Sequence, residues 1–273
     1  MSEQDNSKAS QGVHVIGELM RLAGDDDSVK RSAKNLGESA LIVTSTVKNC
    51  LLPLAALNFG FEKARCYFSE KFQTDISKKT ENISKDDIIE PKASIVGPAL
   101  QGLAFSHDED YLKELYLQLI ASSMNKAMEK EIHPAFVEVI KQLSADEVPI
   151  LNLYIKHNLN AAIVNITSKS ENGGIRILYR NLLNLYKGDE IHVDSKTSSY
   201  VDNWIRLGLV GVNYEQSIRG DDVYNGFIER PEFLKAQEEE ESSGRVVSIK
   251  KGVLYRTSFG AQFAKAVGIN EET

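Results

Sequence analysis

Three successive segments between Pro91 and Leu153 combine apolar residues at helical spacing with recognisable helix starts, and this pattern constrains the fold more than any other feature. The clearest segment runs from Asp108 to about Asn125. Its apolar positions are Tyr111, Leu112, Leu115, Leu119 and Met124. Lys113, Glu114 and Gln118 fall on the opposite face. Because a helix with one broad apolar face needs a partner surface, the segments predict a helical core.

The starts of these helices are marked by side chains that satisfy free backbone amides. Ser106 and Glu109 have the spacing of a capping box, and so do Ser144 and Glu147. Pro134 suits the first turn of the helix between them, because proline lacks the backbone N–H that this position leaves unpaired. That helix carries Phe136, Val137, Ile140 and Leu143.

The N-terminal region predicts further helices. Residues 1–11 are polar and predict a disordered lead-in, and Ser28 to about Lys79 reads as two long helical stretches separated at Pro53. The second stretch carries an apolar stripe at spacings of three and four: Leu54, Leu57, Phe61, Ala64, Phe68 and Phe72. Such stripes are ordinary in soluble helices, so we expect core packing and not a membrane or ligand face.

The chain changes character after Leu159. The run Ala161 to Thr167 is rich in isoleucine and valine and predicts a strand, which ends at the turn-forming residues Glu171 to Gly174. The following residues, from Ile175 to Tyr186, suit either a second strand or a helix, since their leucines and isoleucines fit helical spacing better than alternation.

The last part of the sequence is similar to a winged helix. We expect helices at Ser198 to Leu207 and Ser258 to Val267, with Val246 to Ile249 and Val253 to Tyr255 forming the wing as a hairpin through the three residues between them. The glutamate run Glu238 to Glu241 predicts a solvated loop.

These elements together predict a mainly α-helical protein with a smaller α+β part. We expect three regions: an N-terminal helical region at 1–88, a helical core with its connecting segment at 89–192, and a winged-helix-like domain at 193–273.

Composition excludes some classes of protein. Hydrophobic residues make up 42% of the 273 residues, too many for a disordered chain, and the net charge of -7 disfavours non-specific nucleic-acid binding. The apolar region Ala40 to Phe61 is interrupted by polar residues and predicts no membrane span, and the N-terminus lacks a secretory signal, so we expect a cytoplasmic protein. Cys50 and Cys66 are expected to be reduced and buried.

No catalytic, cofactor-binding or metal-binding residue can be assigned from motifs. His107 lies at an acidic helix start, His133 is expected to cap or pack, and Gly173-Gly174 predicts a turn without the pattern of a phosphate-binding loop. We therefore expect no enzyme activity and no cofactor.

Three blocks of sequence nevertheless resemble the bacterial abortive-infection alpha family. They read IEPKASIVGPALQGLAF from Ile89, DEDYLKELYLQLIASSMNK from Asp108, and HPAFVEVIKQLSADEVPIL from His133. NWIRLGLV at Asn203 to Val210 and TSFGAQF at Thr257 to Phe263 are similar to the family's C-terminal pattern.

This resemblance implies a role in defence against phage that sacrifices or stalls the infected cell, but it carries over no catalytic residues. We expect a non-enzymatic interaction or effector protein with a protein partner. One alternative is a membrane-active effector that uses the N-terminal apolar helices. A second is a transcriptional regulator that binds DNA through the C-terminal domain, where the candidate helix offers only Arg206, with Asp202 beside it.

Overall fold

The computed structural model describes residues 61–156, 160–187, 190–192, 195–220 and 222–269. Its α-helices are α1 (Phe61–Glu70), α2 (Phe72–Thr80), α3 (Ala93–Ser106), α4 (Asp110–Ser123), α5 (Ala135–Lys141), α6 (Val148–Ile155), α7 (Thr197–Arg206), α8 (Pro231–Glu241) and α9 (Ser258–Ala266). Its strands are β1 (Ala161–Lys169), β2 (Ile175–Leu183), β3 (Leu185–Lys187), β4 (Glu190–His192), β5 (Val210–Asn213) and β6 (Val246–Arg256). Nine helices and six strands in the described residues make this an α+β protein.

Contacts along the described chain separate two compact units. The first contains the described residues up to Val148 together with Lys265–Gly268, and the second contains those of Pro149–Ala264 and Ile269. The predicted domain limits after residues 88 and 192 stay predictions, because compactness does not show which part of a chain folds independently.

The first unit is helical, and its core is built by the segments that carried the helical pattern. Residues with no exposed surface include Leu100 and Leu103 of α3, Leu119 of α4, and Phe136 of α5. Burying a side chain of this size stabilises a fold by roughly 1.5–3 kcal/mol. The three predicted helices after Pro91 are therefore confirmed as core elements.

The contact between α3 and α4 depends on a glycine. A Cβ atom added at Gly102 would lie 2.4 Å from the ring of Tyr116, which is itself buried. Gly97, on the same helix, has nothing within 4 Å of such an atom. Gly102 is thus the residue that lets the Tyr116 ring approach the α3 backbone.

The predicted capping boxes are only partly formed. Glu109 occupies the N-cap of α4 without a side-chain bond, because Ser106 is still the last residue of α3, so this box is wrong. At the second box, Oε1 of Glu147 accepts hydrogen bonds from the backbone N–H of Ser144 at 2.7 Å and from its hydroxyl at 3.2 Å. One half of that box is therefore confirmed.

The apolar stripe of the N-terminal helices is confirmed as core where the structure describes it. Phe72 is buried, and Ala64 packs with Ala104 and Phe68. Leu54 and Leu57, like the lead-in at 1–11, lie outside the described residues. The helix α2 ends at Thr80, which agrees with the predicted end of the second helical stretch at about Lys79.

The second unit contains a four-stranded antiparallel sheet with the strand order β2-β1-β6-β5, and a separate β3-β4 pair. The strand predicted at Ala161 to Thr167 is confirmed as β1. Ile175 to Leu183 is a strand, which settles the open alternative against a helix. The turn between β1 and β2 is confirmed too, with Gly173 at a φ of 84°.

Val164, Ile166 and Leu182 form the core of this sheet together with Tyr224, Phe227 and Ala236 from the following segments.

The predicted wing is wrong, because Val246–Arg256 is one continuous strand. Gly252, which was assigned to the turn, lies within the strand, where an added Cβ atom would lie 2.5 Å from the ring of Tyr214. The backbone carbonyl of Gly252 also accepts a hydrogen bond from the hydroxyl of Tyr224 at 2.8 Å. The glycine therefore serves a close side-chain approach and not a turn.

The predicted loop at Glu238 to Glu241 is also wrong, because these residues complete α8. Glu240 is only 5% exposed, so this run is not a uniformly solvated segment. The helices predicted at Ser198 to Leu207 and Ser258 to Val267 are confirmed as α7 and α9.

Candidate functional site: a polar cleft in the first unit

A cleft of about 390 Å³ lies in the first unit where the ends of α2 and α4 approach each other. Its described lining residues are Lys78, Lys79, Asn82, Ile83, Gln118, Ala121, Ser122 and Asn125. We call this feature the polar cleft. Four of its lining residues come from the DEDYLKELYLQLIASSMNK block that carries the family resemblance.

Some of the backbone acceptors at the ends of the two helices are already occupied. At the end of α2 the carbonyl of Thr80 accepts from the N–H of Ile83 at 3.0 Å. At the end of α4 the carbonyls of Ala121 and Ser122 accept from the N–H groups of Met124 and Asn125, each at 3.1 Å. Helix ends commonly leave carbonyls without partners, and these short local bonds satisfy three of them.

The side-chain amide of Asn125 has its donor end, and not its acceptor end, left for a ligand. Its Oδ1 accepts a hydrogen bond from the backbone N–H of Ala127 at 2.9 Å. A backbone N–H can only donate, so the atom facing it must be the amide oxygen, and Nδ2 is the end left for another partner.

The other polar lining residues also offer donors. Gln118 donates from Nε2 to the hydroxyl of Ser122 at 3.4 Å, a long bond that leaves the Ser122 proton available. Within the described part of the chain, Lys78 forms no ion pair and the Asn82 side chain makes no hydrogen bond. Lys79 is paired with Glu114, which lies outside the lining.

The side chain of Gln118 lies close to Gly268, which belongs to the first unit. Gly268 has a φ of 74°, and a Cβ atom added there would lie 2.6 Å from Cγ of Gln118. A side chain at residue 268 would therefore be strained in its backbone and would displace Gln118.

The described lining consists of amide, hydroxyl, ammonium and aliphatic side chains. Among the described lining residues there is no histidine, cysteine or carboxylate that could act as a base for the Ser122 hydroxyl. No group of three or more histidine, cysteine or acidic side chains is arranged to hold a metal ion in the residues that the structure describes. The chemistry of the polar cleft is hydrogen-bond donation and positive charge.

The histidines singled out in the sequence lie elsewhere and have structural partners. Nδ1 of His133 accepts from the backbone N–H of Ala135 at 3.0 Å, which agrees with the capping interpretation. The ring of His107 stacks on Tyr67 with centroids 5.1 Å apart, and its Nδ1 lies 3.0 Å from the carbonyl of Ala104. Burial, and then the hydrogen bond to Asp75, raises the pKa of Tyr67.

Cys66 is exposed on α1, so the expectation of a buried thiol is wrong at this position. Cys50 lies outside the described residues.

A buried carboxylate of the second unit forms a closed network. Glu240 accepts hydrogen bonds from Ser168 and Arg176, and Nε of Arg245 lies 3.1 Å from its Oε2. The bond from Ser168 lowers the pKa of Glu240 most, burial opposes this, and the two arginines lower it further. Nη2 of Arg245 also donates to the carbonyl of Ser168 at 2.9 Å.

A second network surrounds Arg230, which is 2% exposed, and Nδ2 of Asn184 in this network is buried without a hydrogen-bond partner. Its Nε and Nη2 donate to the two carboxylate oxygens of Glu232 at 3.1 and 2.7 Å, and Nη1 donates to Asn184 and to the carbonyl of Leu183. Burial is the largest influence and raises the pKa of Glu232, but the hydrogen bonds and charge of Arg230 together with a backbone hydrogen bond lower it by more, so the net shift of the pKa is downward.

A third closed cluster is centred on Asn181, which has a φ of 53° where the pairing of β2 with β1 is irregular. Its N–H donates to Asn165 at 2.9 Å, Nδ2 donates to Asp202 at 2.5 Å, and Oδ1 accepts from the hydroxyl of Tyr214 at 2.7 Å. Burial raises the pKa of Tyr214 to about 12. These bonds hold an asparagine in the left-handed region, which it tolerates better than most residues.

Sequence reasoning missed the polar cleft. Gln118, Ser122 and Asn125 are spaced by four and three residues, so they form one polar stripe at the end of an otherwise apolar helix. This spacing could have predicted a polar site. Gln118 was assigned to the solvent-exposed face of the helix instead. Lys78, Lys79 and Asn82 come from a distant segment, and nothing in their spacing indicates that they meet it.

The fold is that of an α+β protein whose polar cleft lies in its helical unit. The family model described as abortive infection alpha matches residues 64–267, so the chain belongs to the abortive-infection alpha family. Comparisons with curated proteins and with solved structures return no match. No helix among the described residues is long and apolar enough to cross a membrane.

Proposed function

We propose that this protein acts in abortive-infection defence by binding and not by catalysis, and that the polar cleft recognises a component that appears during phage infection. The observation that carries the proposal is the described lining of the cleft, which offers several donors and contains no histidine, cysteine or carboxylate. Recognition would then be passed on to a protein partner, which the sequence also led us to expect.

Membership in the family supports the defence role, and the cleft supports the binding role. The cleft volume falls within the range of small-molecule sites, roughly 300–1,000 Å³. Arg230, Glu232 and Glu240 of the second unit already have partners, so their charges favour no competing site.

The test is phage plating efficiency and culture survival in bacterial cells that express the chain or its variants. Asn125→Asp keeps an oxygen for the bond to Ala127 but replaces the free donor by a charged acceptor. Asn172→Asp, in the exposed turn between β1 and β2, changes the net charge equally and is the matched control.

We expect wild type and Asn172→Asp to protect cultures by loss of the infected cells, and Asn125→Asp to lose protection while accumulating to the same level. Protection by Asn125→Asp equal to wild type would defeat the assignment of the cleft. Turnover of a nucleotide or nucleic acid by the purified protein, abolished by one substitution, would defeat the non-enzymatic part.

A membrane-active effector is the first alternative. The described members of the apolar stripe are packed in the first unit, so this function needs a rearrangement that exposes them. Leakage of anionic liposomes on adding the protein, abolished by Leu54→Glu, would favour it over binding in the cleft.

A DNA-binding regulator is the second alternative. Its support is weaker because the hairpin predicted as the wing of a winged helix is one continuous strand. Salt-dependent binding of the purified protein to its own promoter region would favour it. The cytoplasmic location remains an expectation from the sequence.

A further inference from the structure

We propose that the component recognised in the polar cleft is a small molecule that carries a phosphate group. This inference rests on the proposed function, since it names the ligand of the same site. It follows from the described lining, which carries two lysines and no carboxylate and whose side chains offer more donors than acceptors.

The donors come from both sides of the cleft. The α4 side offers Nδ2 of Asn125 and the hydroxyl of Ser122, because their acceptor atoms are engaged by Ala127 and Gln118. The α2 side offers the ammonium of Lys78 and the amide of Asn82. A ligand that fills this cleft must therefore bring several acceptors and negative charge.

Local hydrogen bonds weaken the opposing effect of the two helix ends on this preference. Both α2 and α4 end at the cleft, and unsatisfied carbonyls there would place a partial negative charge near the ligand. The carbonyls of Thr80, Ala121 and Ser122 accept local hydrogen bonds, and the carbonyl of Met124 accepts from the N–H of Ile89 at 2.9 Å. Lys78 and Lys79 add positive charge in the last turn of α2.

The shape of the lining narrows the ligand class. A phosphate group presents three or more acceptor oxygens in different directions, which suits donors arriving from two helices better than a planar carboxylate. No aromatic side chain is present among the described lining residues to stack on a nucleobase. The eight described lining residues are few beside the roughly 20–30 residues that each side of a standard protein interface contributes.

Isothermal titration of the full chain with pyrophosphate, at an ionic strength held constant with sodium chloride, tests this inference. We expect saturable binding by wild type. Asn125→Asp should bind about tenfold or more weakly, because a donor to a charged group is replaced by a like charge. Lys78→Gln should bind about threefold more weakly, since its exposed ammonium is screened by solvent.

Two control variants separate local from general charge effects. Asn172→Asp and Lys130→Gln change the net charge by the same amounts at exposed positions outside the cleft lining, and they should bind pyrophosphate like wild type. Citrate, a polycarboxylate of similar charge, should bind more weakly than pyrophosphate.

Absence of saturable pyrophosphate binding, equal binding by Asn125→Asp and wild type, or tighter binding of citrate would each overturn the phosphate assignment. Loss of phage protection in Asn125→Asp together with no pyrophosphate binding would leave the proposed function standing and remove this inference alone. Specific pyrophosphate binding by wild type, together with full phage protection by Asn125→Asp, would leave this inference standing and remove the proposed function of the cleft.

Discussion

Polar side chains are used differently in the two units. In the second unit, Arg230 and Glu240 are buried and surrounded by partners, so their hydrogen-bonding groups face one another. In the first unit, the polar cleft keeps donors on Asn125 and Lys78 that have no partner within the described chain. Closed networks hold a structure together, whereas an open set of donors is available to a ligand.

This difference gives a criterion for separating structural from functional polar residues. Substitution inside a closed network leaves a buried group without its partner, and the cost appears as lost stability. Substitution in the polar cleft removes a group that water already solvates, so the cost should appear in binding. Four stability measurements test the comparison.

The largest effect is expected at Arg230. Arg230→Met removes four hydrogen bonds and leaves Glu232 and Asn184 without their partner. Breaking a buried pair in this way typically costs about 3–5 kcal/mol, which should appear as a lower free energy of unfolding in urea.

Arg219→Met, at an exposed position, is the control and should change the free energy of unfolding by less than about 0.5 kcal/mol. Equal effects of the two substitutions would contradict a structural role for the Arg230 network.

The next effect is expected inside the helical core of the first unit. Gly102→Ala places a Cβ atom 2.4 Å from the Tyr116 ring and should destabilise the fold by about 1–3 kcal/mol through overpacking. Gly97→Ala, on the same helix, should cost less than Gly102→Ala, because no atom beyond its chain neighbours lies within 4 Å of the added Cβ and only the following Pro98 opposes it. Thermal unfolding of both variants checks this contrast, and equal losses of stability would refute it.

The Glu240 network should give a smaller effect that depends on pH, because Arg176 is 56% exposed and its charge is screened. The pKa of Glu240 is lowered in the folded protein from its ordinary value of 4.5. Its contribution is therefore fully present above about pH 4.5 and is lost as the pH falls through the folded-state pKa.

We expect Glu240→Gln to lower the urea midpoint at pH 7 and to approach wild type as the pH falls below 4.5. Glu239→Gln, whose side chain is 61% exposed, should follow wild type at every pH. A difference between Glu240→Gln and wild type that stays constant with pH would show that the carboxylate charge is not the cause.

The smallest effect is expected in the polar cleft. Lys78→Gln should change the free energy of unfolding by less than about 0.5 kcal/mol, because the exposed ammonium has no ion pair to lose among the described residues. Chemical denaturation measures this value in the protein used for titration. A loss as large as that of Gly102→Ala would mean that the cleft is a structural feature.

Much of the fold was predictable because it depends on local patterns. The helices α3, α4, α5, α7 and α9, the strand β1 and the turn after it were all indicated by spacing or by turn residues. The same local reasoning was wrong for Lys250 to Gly252, where a glycine beside two lysines is typical of a hairpin turn. Here Tyr214 and Tyr224 pack on Gly252 from other parts of the chain, and the strand continues.

Local sequence patterns were also misleading at the edge of the sheet and at the end of α8. Ile175 and Ile177 suggested an amphipathic helix, yet both are exposed on a strand at the edge of the sheet, where Ile175 is 67% exposed. Glu240 is the opposite case. Its place in a glutamate run predicts an exposed side chain, yet Ser168 and two arginines bury it. Local sequence indicates which residues could be buried, but not which neighbours will cover them.

The sequence by itself determined the periodic helices, the first strand, the absence of a recognisable catalytic motif and the resemblance to the abortive-infection alpha family. Only the tertiary structure decided that Lys78 and Asn82 meet Ser122 and Asn125, and that Arg230 and Glu240 are enclosed by partners. The reason is physical. Helical and strand periodicity follow from backbone geometry over a few residues, whereas burial, pairing and spare donors depend on groups that are far apart in the chain.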